Sequence, residues 1–212
     1  MRMGHNERGW RGTPDLWLDA AYGLLVEGGV ESVKIMPLAA HLRLSRSSFY
    51  WHFADREALL AGLVDRWRAQ NTGSLVAQCA APAYTIAEAM LNLIDCWVEP
   101  RLFDSRLEFA LRTWALTDPV VATALAKADA DRIAALTALF RRFDFAATEA
   151  DTRARAIYLT QIGYIVLNSD ESFAVRMGRI PAYVLVFCGK PPSIAEVDAF
   201  RTRHAGRLGA PG

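Results

Sequence analysis

Between recurrent polar start signals the chain is filled mostly with Ala, Leu, Arg and Glu, a mixture that favours helix. Thr13-Pro14 and Asp118-Pro119 each set a capping side chain before a proline at the first helical position. Asp55 precedes Arg-Glu, and Thr85-Ile-Ala-Glu88 and Ser193-Ile-Ala-Glu196 have capping-box spacing. Thr148 to Asp151 is a weaker start, and Gly28-Gly29 is a stop. No alternating strand of useful length and no Asn-Gly or Asp-Gly hairpin turn is present. Tyr183 to Phe187 is β-branched and aromatic, but its helical surroundings make it helix. The signals predict helices near 14–27, 35–42, 46–52, 55–79, 84–98, 103–117, 119–142, 149–169, 172–188 and 193–205.

The early helices are short and close together, and the later ones are longer. The expectation is an all-α chain with an N-terminal three-helix module over 1–58 and a larger C-terminal helical domain over 59–212. The 212 residues are 52% hydrophobic and 22% charged, enough apolar chain for a sizeable core and the wrong composition for a disordered tail. The net charge is only +1, so contact with nucleic acid has to come from a local patch. Cys79, Cys96 and Cys188 are far apart and form no Cys-x-x-Cys pair, which predicts buried free thiols in a reducing compartment. The first residues carry Arg2, Glu7, Arg8 and Arg11 rather than an apolar leader. The longest uncharged apolar run, Ile157 to Ser169, falls short of the ~20 residues of a membrane span. A soluble cytoplasmic protein with no membrane partner is expected.

Lys34 to Leu60 holds the most specific pattern. Leu38, Ala39 and Leu42 put apolar groups on one face of a short helix, and Ala39 is small enough for a close crossing. Arg43-Leu44 is a tight connection, Ser45 a cap, and Phe49 and Phe53 form the buried stripe of a second short helix. Two short helices joined in this way make a helix-turn-helix. The second helix is expected to expose Arg46, Ser47, Ser48, Tyr50, Trp51 and His52, none of them acidic. Hydroxyls, backbone N–H groups and a guanidinium suit phosphates and groove edges. Arg46 has the fork to bind guanine, and Trp51 the apolar surface for a thymine methyl. Tyr50 and His52 can donate to phosphates, as can Lys34 and Arg56 from the flanking helices. On residues alone, a plain surface helix with an aromatic stripe remains the other reading.

The run Ser45-Arg-Ser-Ser-Phe-Tyr-Trp-His-Phe53, followed by Asp55-Arg-Glu-Ala-Leu59, resembles the recognition-helix signature of the TetR family of transcriptional regulators. Leu38-Ala39 before it, and a first helix with Ala20-Ala21 and Leu24-Leu25 ending at Gly28-Gly29, fit as well. The resemblance implies a homodimer that sets two recognition helices in successive major grooves of a palindromic DNA operator. It also implies a C-terminal domain that dimerises and binds a small-molecule effector, here unidentified. Carried over by position, Ser45, Arg46, Ser47, Ser48 and Trp51 face bases, while Lys34, Tyr50, His52 and Arg56 meet the backbone. Two positions depart from the pattern: Arg43 stands where the turn glycine is usual, and Lys34 where threonine is common.

In the larger domain most aromatics read as core. Trp97, Phe109, Trp114 and Gln161 are the expected ligand contacts, and Asn92, Asp95 and Asn168 are further polar groups at helical depth that need partners. Ile157 to Asn168 is nearly free of charge, so it is either central to its own bundle or covered by another subunit; the resemblance favours an interface, with Val184 to Phe187 adding to it. No catalytic constellation is legible. His5, His41, His52 and His204 are scattered, and there is no His-Glu-x-x-His, no phosphate-binding glycine loop and no Gly-x-Ser-x-Gly. Asp129 and Asp131 point to different helix faces and read as solvated. No cofactor, metal site or catalytic role is expected. The alternative is a helical enzyme or ligand-binding module acting on an apolar small molecule.

Overall fold

The computed structural model describes residues 11–167 and 171–208, and all regular elements among them are helical. Helix α1 runs Pro14–Gly28, and a short 3-10 turn, Val30–Ser32, leads to α2 (Ile35–Leu42) and α3 (Arg46–Phe49). Helix α4 (Arg56–Trp67) passes through a π-helical stretch, Arg68–Gly73, directly into α5 (Ser74–Ala80). The rest comprises α6 (Ile86–Val98), α7 (Ser105–Ala115), α8 (Pro119–Arg142), α9 (Ala147–Leu167), α10 (Phe173–Cys188), α11 (Ile194–Arg203) and the single turn α12 (Ala205–Leu208). The Tyr183–Phe187 segment is helical, inside α10.

Caps explain the starts. Thr13 Oγ1 accepts from the Leu16 N–H at 3.2 Å, Asp55 from Ala58 at 2.7 Å, and Asp118 from Val120 at 2.9 Å. Ser193 and Glu196 form the full reciprocal box. At α6 the box is half made. Thr85 caps Glu88, but the Glu88 carboxylate takes the N–H of Tyr84, one residue earlier than expected. Thr148 is no cap at all: α9 has already begun at Ala147, and Thr148 lies inside it. Gly29 closes α1 at φ +74°, a conformation that favours glycine, and its N–H reaches Leu25 O at 3.0 Å.

Two apolar clusters form the interior. One joins α5, α6, α8, α9, α10 and α11 around Met90, Leu93, Leu136, Phe140 and Phe200. The other starts in the N-terminal module with Trp17, Leu38, Phe49 and Leu63, and continues without a break into Leu107, Leu111 and Trp114 of α7 and Val121 of α8. The small module therefore does not close its core on itself. It shares that core with α7, so tilting the module against α7 means repacking buried side chains. The three cysteines are free and buried. Burial pushes the Cys79 and Cys188 thiols up to about 12, which makes them poor nucleophiles. Among the described residues no helix is long and apolar enough to cross a membrane.

Candidate nucleic-acid interface and effector pocket

The helix-turn-helix is built as expected but shorter. Arg43 ends α2 at φ 54°, ψ 37°, so the chain keeps the left-handed turn and accepts its steric strain with a long side chain in place of glycine. Leu44 N–H returns to Ala39 O at 2.9 Å, over the buried Ala39. Ser45 Oγ caps α3 by accepting from Ser48 N–H at 3.1 Å. Regular helix stops at Phe49 instead of 52; residues 50–52 form a looser turn held by His52 and Phe53 N–H groups on Phe49 O. The reason is local: Asp55, only a few residues on, must be extended to cap α4. Phe49 and Phe53 stack at 5.6 Å, and Phe49 meets Trp17 edge-on at 5.3 Å, which fixes α3 on α1.

Lys34, Ser45, Arg46, Ser47, Tyr50 and Trp51 face solvent. Trp51 is 64% and Tyr50 44% exposed, unusual for large aromatics in a chain with a full core to hold them. Arg46 Nη2 donates to the Tyr50 hydroxyl at 3.0 Å, so the two side chains sit side by side. Ser48 departs from expectation. It is buried, and its hydroxyl pairs with Ser45 Oγ at 2.8 Å, because position 48 turns inward beside Phe49. His52 is half-buried, and its Nε2 has no partner among the described residues. Arg56 is turned toward its own module: Nε donates to Val33 O at 2.6 Å and Nη2 to Val30 O at 2.7 Å, tying α4 to the turn before α2 and thereby placing Lys34. Lys34 leaves α2 without a side-chain cap. The sequence reading missed Arg11, whose guanidinium lies 3.8 Å above the Trp51 ring. A residue this far ahead of α3 gives no spacing signal.

Of the expected ligand contacts, Trp97 and Gln161 line the same slot, a narrow apolar cavity of about 40 Å³ between α6, α9 and α10. Gln161 also lines a wider vestibule of about 400 Å³, together with Phe109 of α7 and Val26 of α1. Tyr164 and Arg176 border both spaces. Trp114 lines neither; it packs in the core shared with the N-terminal module, its Nε1 on Asp118 at 3.2 Å. Asn92 reaches Pro82 O, and Asp95 is taken by Arg203 and His204 near the C-terminus. Asn168 and His5 lie outside the described residues.

A buried polar cluster where α4, α7, α8 and α9 meet was not foreseen. Glu108 and Arg132 are both 0% exposed and face each other with two contacts, 2.8 and 3.1 Å. Glu108 also accepts from Trp67 Nε1 at 2.7 Å, Asn71 Nδ2 at 2.9 Å and Arg112 Nε at 3.0 Å. Arg132 reaches Thr72 Oγ1 and the Tyr158 hydroxyl. Asp129 belongs here, bound to Arg112 at 2.6 Å, rather than on a solvated face; Asp131 is the exposed one and pairs with Lys127 at 2.9 Å. Burial pushes the Glu108 carboxyl up, but Arg132 and then Arg112 outweigh it and hold it below the usual carboxylate range. Asp104, the α7 cap, takes the Tyr22 hydroxyl of α1 at 2.8 Å, and its backbone exchanges hydrogen bonds with Asn71. Among the described residues no group of His, Cys, Asp and Glu could hold a metal ion.

Residues 18–63 match the family described as bacterial regulatory proteins, tetR family. A search of curated proteins returned no match to the chain. Among solved structures, Salmonella enterica GusR superposes with a TM-score of 0.60 at 17% identity, over 93% of this chain and 95% of that one. Mycobacterium smegmatis AmtR gives 0.59 at 18%, over 97% and 98%. A transcriptional regulator from Rhodococcus sp. Rha1 gives 0.55 at 19%, over 91% and 97%. At these identities the likeness is one of fold, along nearly the whole chain.

Proposed function

We propose, from the premise that the N-terminal domain of this chain belongs to the tetR family of bacterial regulatory proteins, that the protein is a ligand-responsive transcriptional repressor that binds a palindromic operator as a homodimer. Residues 1–58 read the DNA, and residues 59–212 bind an effector and dimerise; no catalytic step is involved. The observation that carries this reading is the outward face of the helix-turn-helix: Lys34, Ser45, Arg46, Ser47, Tyr50 and Trp51 lie exposed together with no carboxylate among them. Such a face meets phosphates without repulsion and offers a guanidinium and an aromatic ring to base edges. Ser48 supports it from inside through Ser45, and Arg56 through the Val30 and Val33 carbonyls. His52 Nε2 is buried and unpartnered among the described residues, so a phosphate contact there requires the ring to turn outward.

Dimerisation is proposed through the outer faces of α9 and α10. Leu159 and Leu167 on α9, and Leu185 and Val186 on α10, are exposed although the inner faces of both helices are packed. Pairing two copies there gives a four-helix contact across a two-fold axis. Two recognition helices must then sit ~34–36 Å apart to meet successive major grooves. An effector in the vestibule touches Val26 of α1 and Phe109 of α7 at once, so it acts on the tilt of the DNA-reading module where the shared core resists it. By linkage, operator DNA must weaken effector binding by the factor by which effector weakens operator binding.

The test is selection of bound fragments from random duplexes, followed by gel shifts of the selected and scrambled duplexes over a salt series. Preference for one palindrome, with the logarithm of affinity falling linearly with the logarithm of salt, is expected. Equal affinity for every duplex would refute operator recognition.

A further inference from the structure

The slot and the vestibule are unevenly supplied with charge. Arg176 borders both and is largely withdrawn from solvent. Among the described residues its guanidinium makes one side-chain hydrogen bond, a long one of 3.5 Å to Gln161 Oε1; it lies 5.7 Å from the Tyr164 ring and feels the charge of Glu171 without a hydrogen bond to it. Burial lowers its affinity for its proton, the expected response of a cation with too little compensation. A second donor, the indole Nε1 of Trp97, is buried at the slot with no partner among the described residues. At the vestibule Arg106 is exposed and makes no ion pair among the described residues. The carboxylate that lines this space, Glu171, is paired with Arg179 through one oxygen only, and its buried Oε2 has no hydrogen-bond partner among the described residues, so a bound anion has to sit on the Arg176 side and away from it. The remaining slot wall is apolar, including Ile94, Ile157 and Ile180.

We propose that the effector is a small amphipathic carboxylate, its acid group held between Arg176 and Trp97 Nε1, which both border the slot, and its apolar body against the isoleucine wall. This rests on the reading of the region as the effector pocket and narrows the chemistry of that pocket. A carboxylate accepts two parallel hydrogen bonds from a guanidinium, and replaces the water the cation loses on burial. Trp97 Nε1 then finds an acceptor, as buried indole N–H groups require. Size follows from volume. The slot holds room for roughly three waters, so the body is compact, an aryl ring edge or a short alkyl chain, and the bulk of the molecule occupies the 400 Å³ vestibule. An anion on Arg176 also feels the charge of Arg106, and through Phe109 and Val26 the rest of the molecule presses on α7 and α1.

The experiment uses the full chain, calorimetry and thermal shift, with benzoate, phenylacetate and hexanoate as probes. Each acid is matched by its neutral amide and by the amine of the same skeleton. Acids are expected to bind and raise the melting temperature, with amides and amines at least tenfold weaker. Arg176→Met is expected to reduce acid affinity roughly ten- to a hundredfold, the range of a charge-assisted hydrogen bond, while leaving the ligand-free melting temperature unchanged or higher. Arg106→Gln, at an exposed position, reduces acid affinity severalfold without touching the fold. Trp97→Phe, which keeps a ring and loses the N–H, costs about two- to tenfold. Amides or amines that bind as well as the acids, or an acid preference that survives Arg176→Met, would overturn the carboxylate assignment and leave the effector pocket standing. Failure of all three series to bind would overturn it too, and DNA binding measured in the same preparation shows whether the regulator reading falls with it.

Discussion

The helix-turn-helix edge and the joint between α4, α7 and α8 use the same residue types in opposite ways. At the edge, Arg46, Lys34, Tyr50 and Trp51 are exposed, and among the described residues no carboxylate answers the cations. At the joint, Arg132, Arg112, Trp67 and Tyr158 converge on two carboxylates, and Glu108 alone accepts hydrogen bonds from four side chains. Exposed charge is cheap to leave unpaired because water solvates it; buried charge is not. The edge is therefore free to wait for an outside partner, and the joint is complete without one. The slot between α6, α9 and α10 lies between these extremes: Arg176 is withdrawn from water yet weakly paired.

The contrast predicts opposite responses to mutation. Glu108→Gln should destabilise the chain by about 3–5 kcal/mol, since it leaves the fully buried Arg132 without its close carboxylate partner. Replacing Glu108 and Arg132 together by Leu and Met should recover much of that loss in denaturant titrations; no recovery would mean that the joint is held by packing alone. Acid should act on the same place. The Glu108 carboxyl is held below its unfolded value, so its contribution is present above the ordinary carboxylate range and is lost as pH falls through the folded value. In the wild type the melting temperature should drop on acidification, and in the double variant this drop should be smaller. At the edge, Arg46→Ala should leave stability within ~0.5 kcal/mol and weaken the selected operator by ~1–3 kcal/mol, relaxing the preference at one base pair. A uniform loss over all sequences would move Arg46 to the phosphate class. The smallest effect is expected at the turn. Arg43→Gly relieves a left-handed residue, a gain of about 1 kcal/mol before the greater freedom of glycine in the unfolded chain offsets part of it. A net loss in the melt would show that the Arg43 side chain does more than tolerate its backbone.

Much of this was legible in one dimension. Start signals such as Thr13-Pro14, Asp55 and Ser193–Glu196 act through their own N–H groups within a turn, so helix positions needed no knowledge of the fold. The outward face of the helix-turn-helix was readable for the same reason, since Phe49 and Phe53 declare the inward side and leave Arg46, Ser47, Tyr50 and Trp51 to the other. Errors of one position arose where sides are decided by contact. Ser48 turned in, and Thr148 fell inside a helix already begun at Ala147.

The local order of helices, the acid-free outer face of the helix-turn-helix and the free thiols follow from the sequence, because each depends on neighbours a few residues away. The joint and the pocket do not. Glu108 meets Trp67, Asn71 and Arg132 across separations of 41, 37 and 24 residues, and Asp129 was mistaken for a solvated acid because nothing beside it names Arg112. Trp114 and Trp97 look alike along the chain, yet one fills the shared core and the other borders the slot. Which apolar residue is core and which is wall, and which charge is paired, depends on how helices distant in sequence are set against one another, and packing at close range decides it.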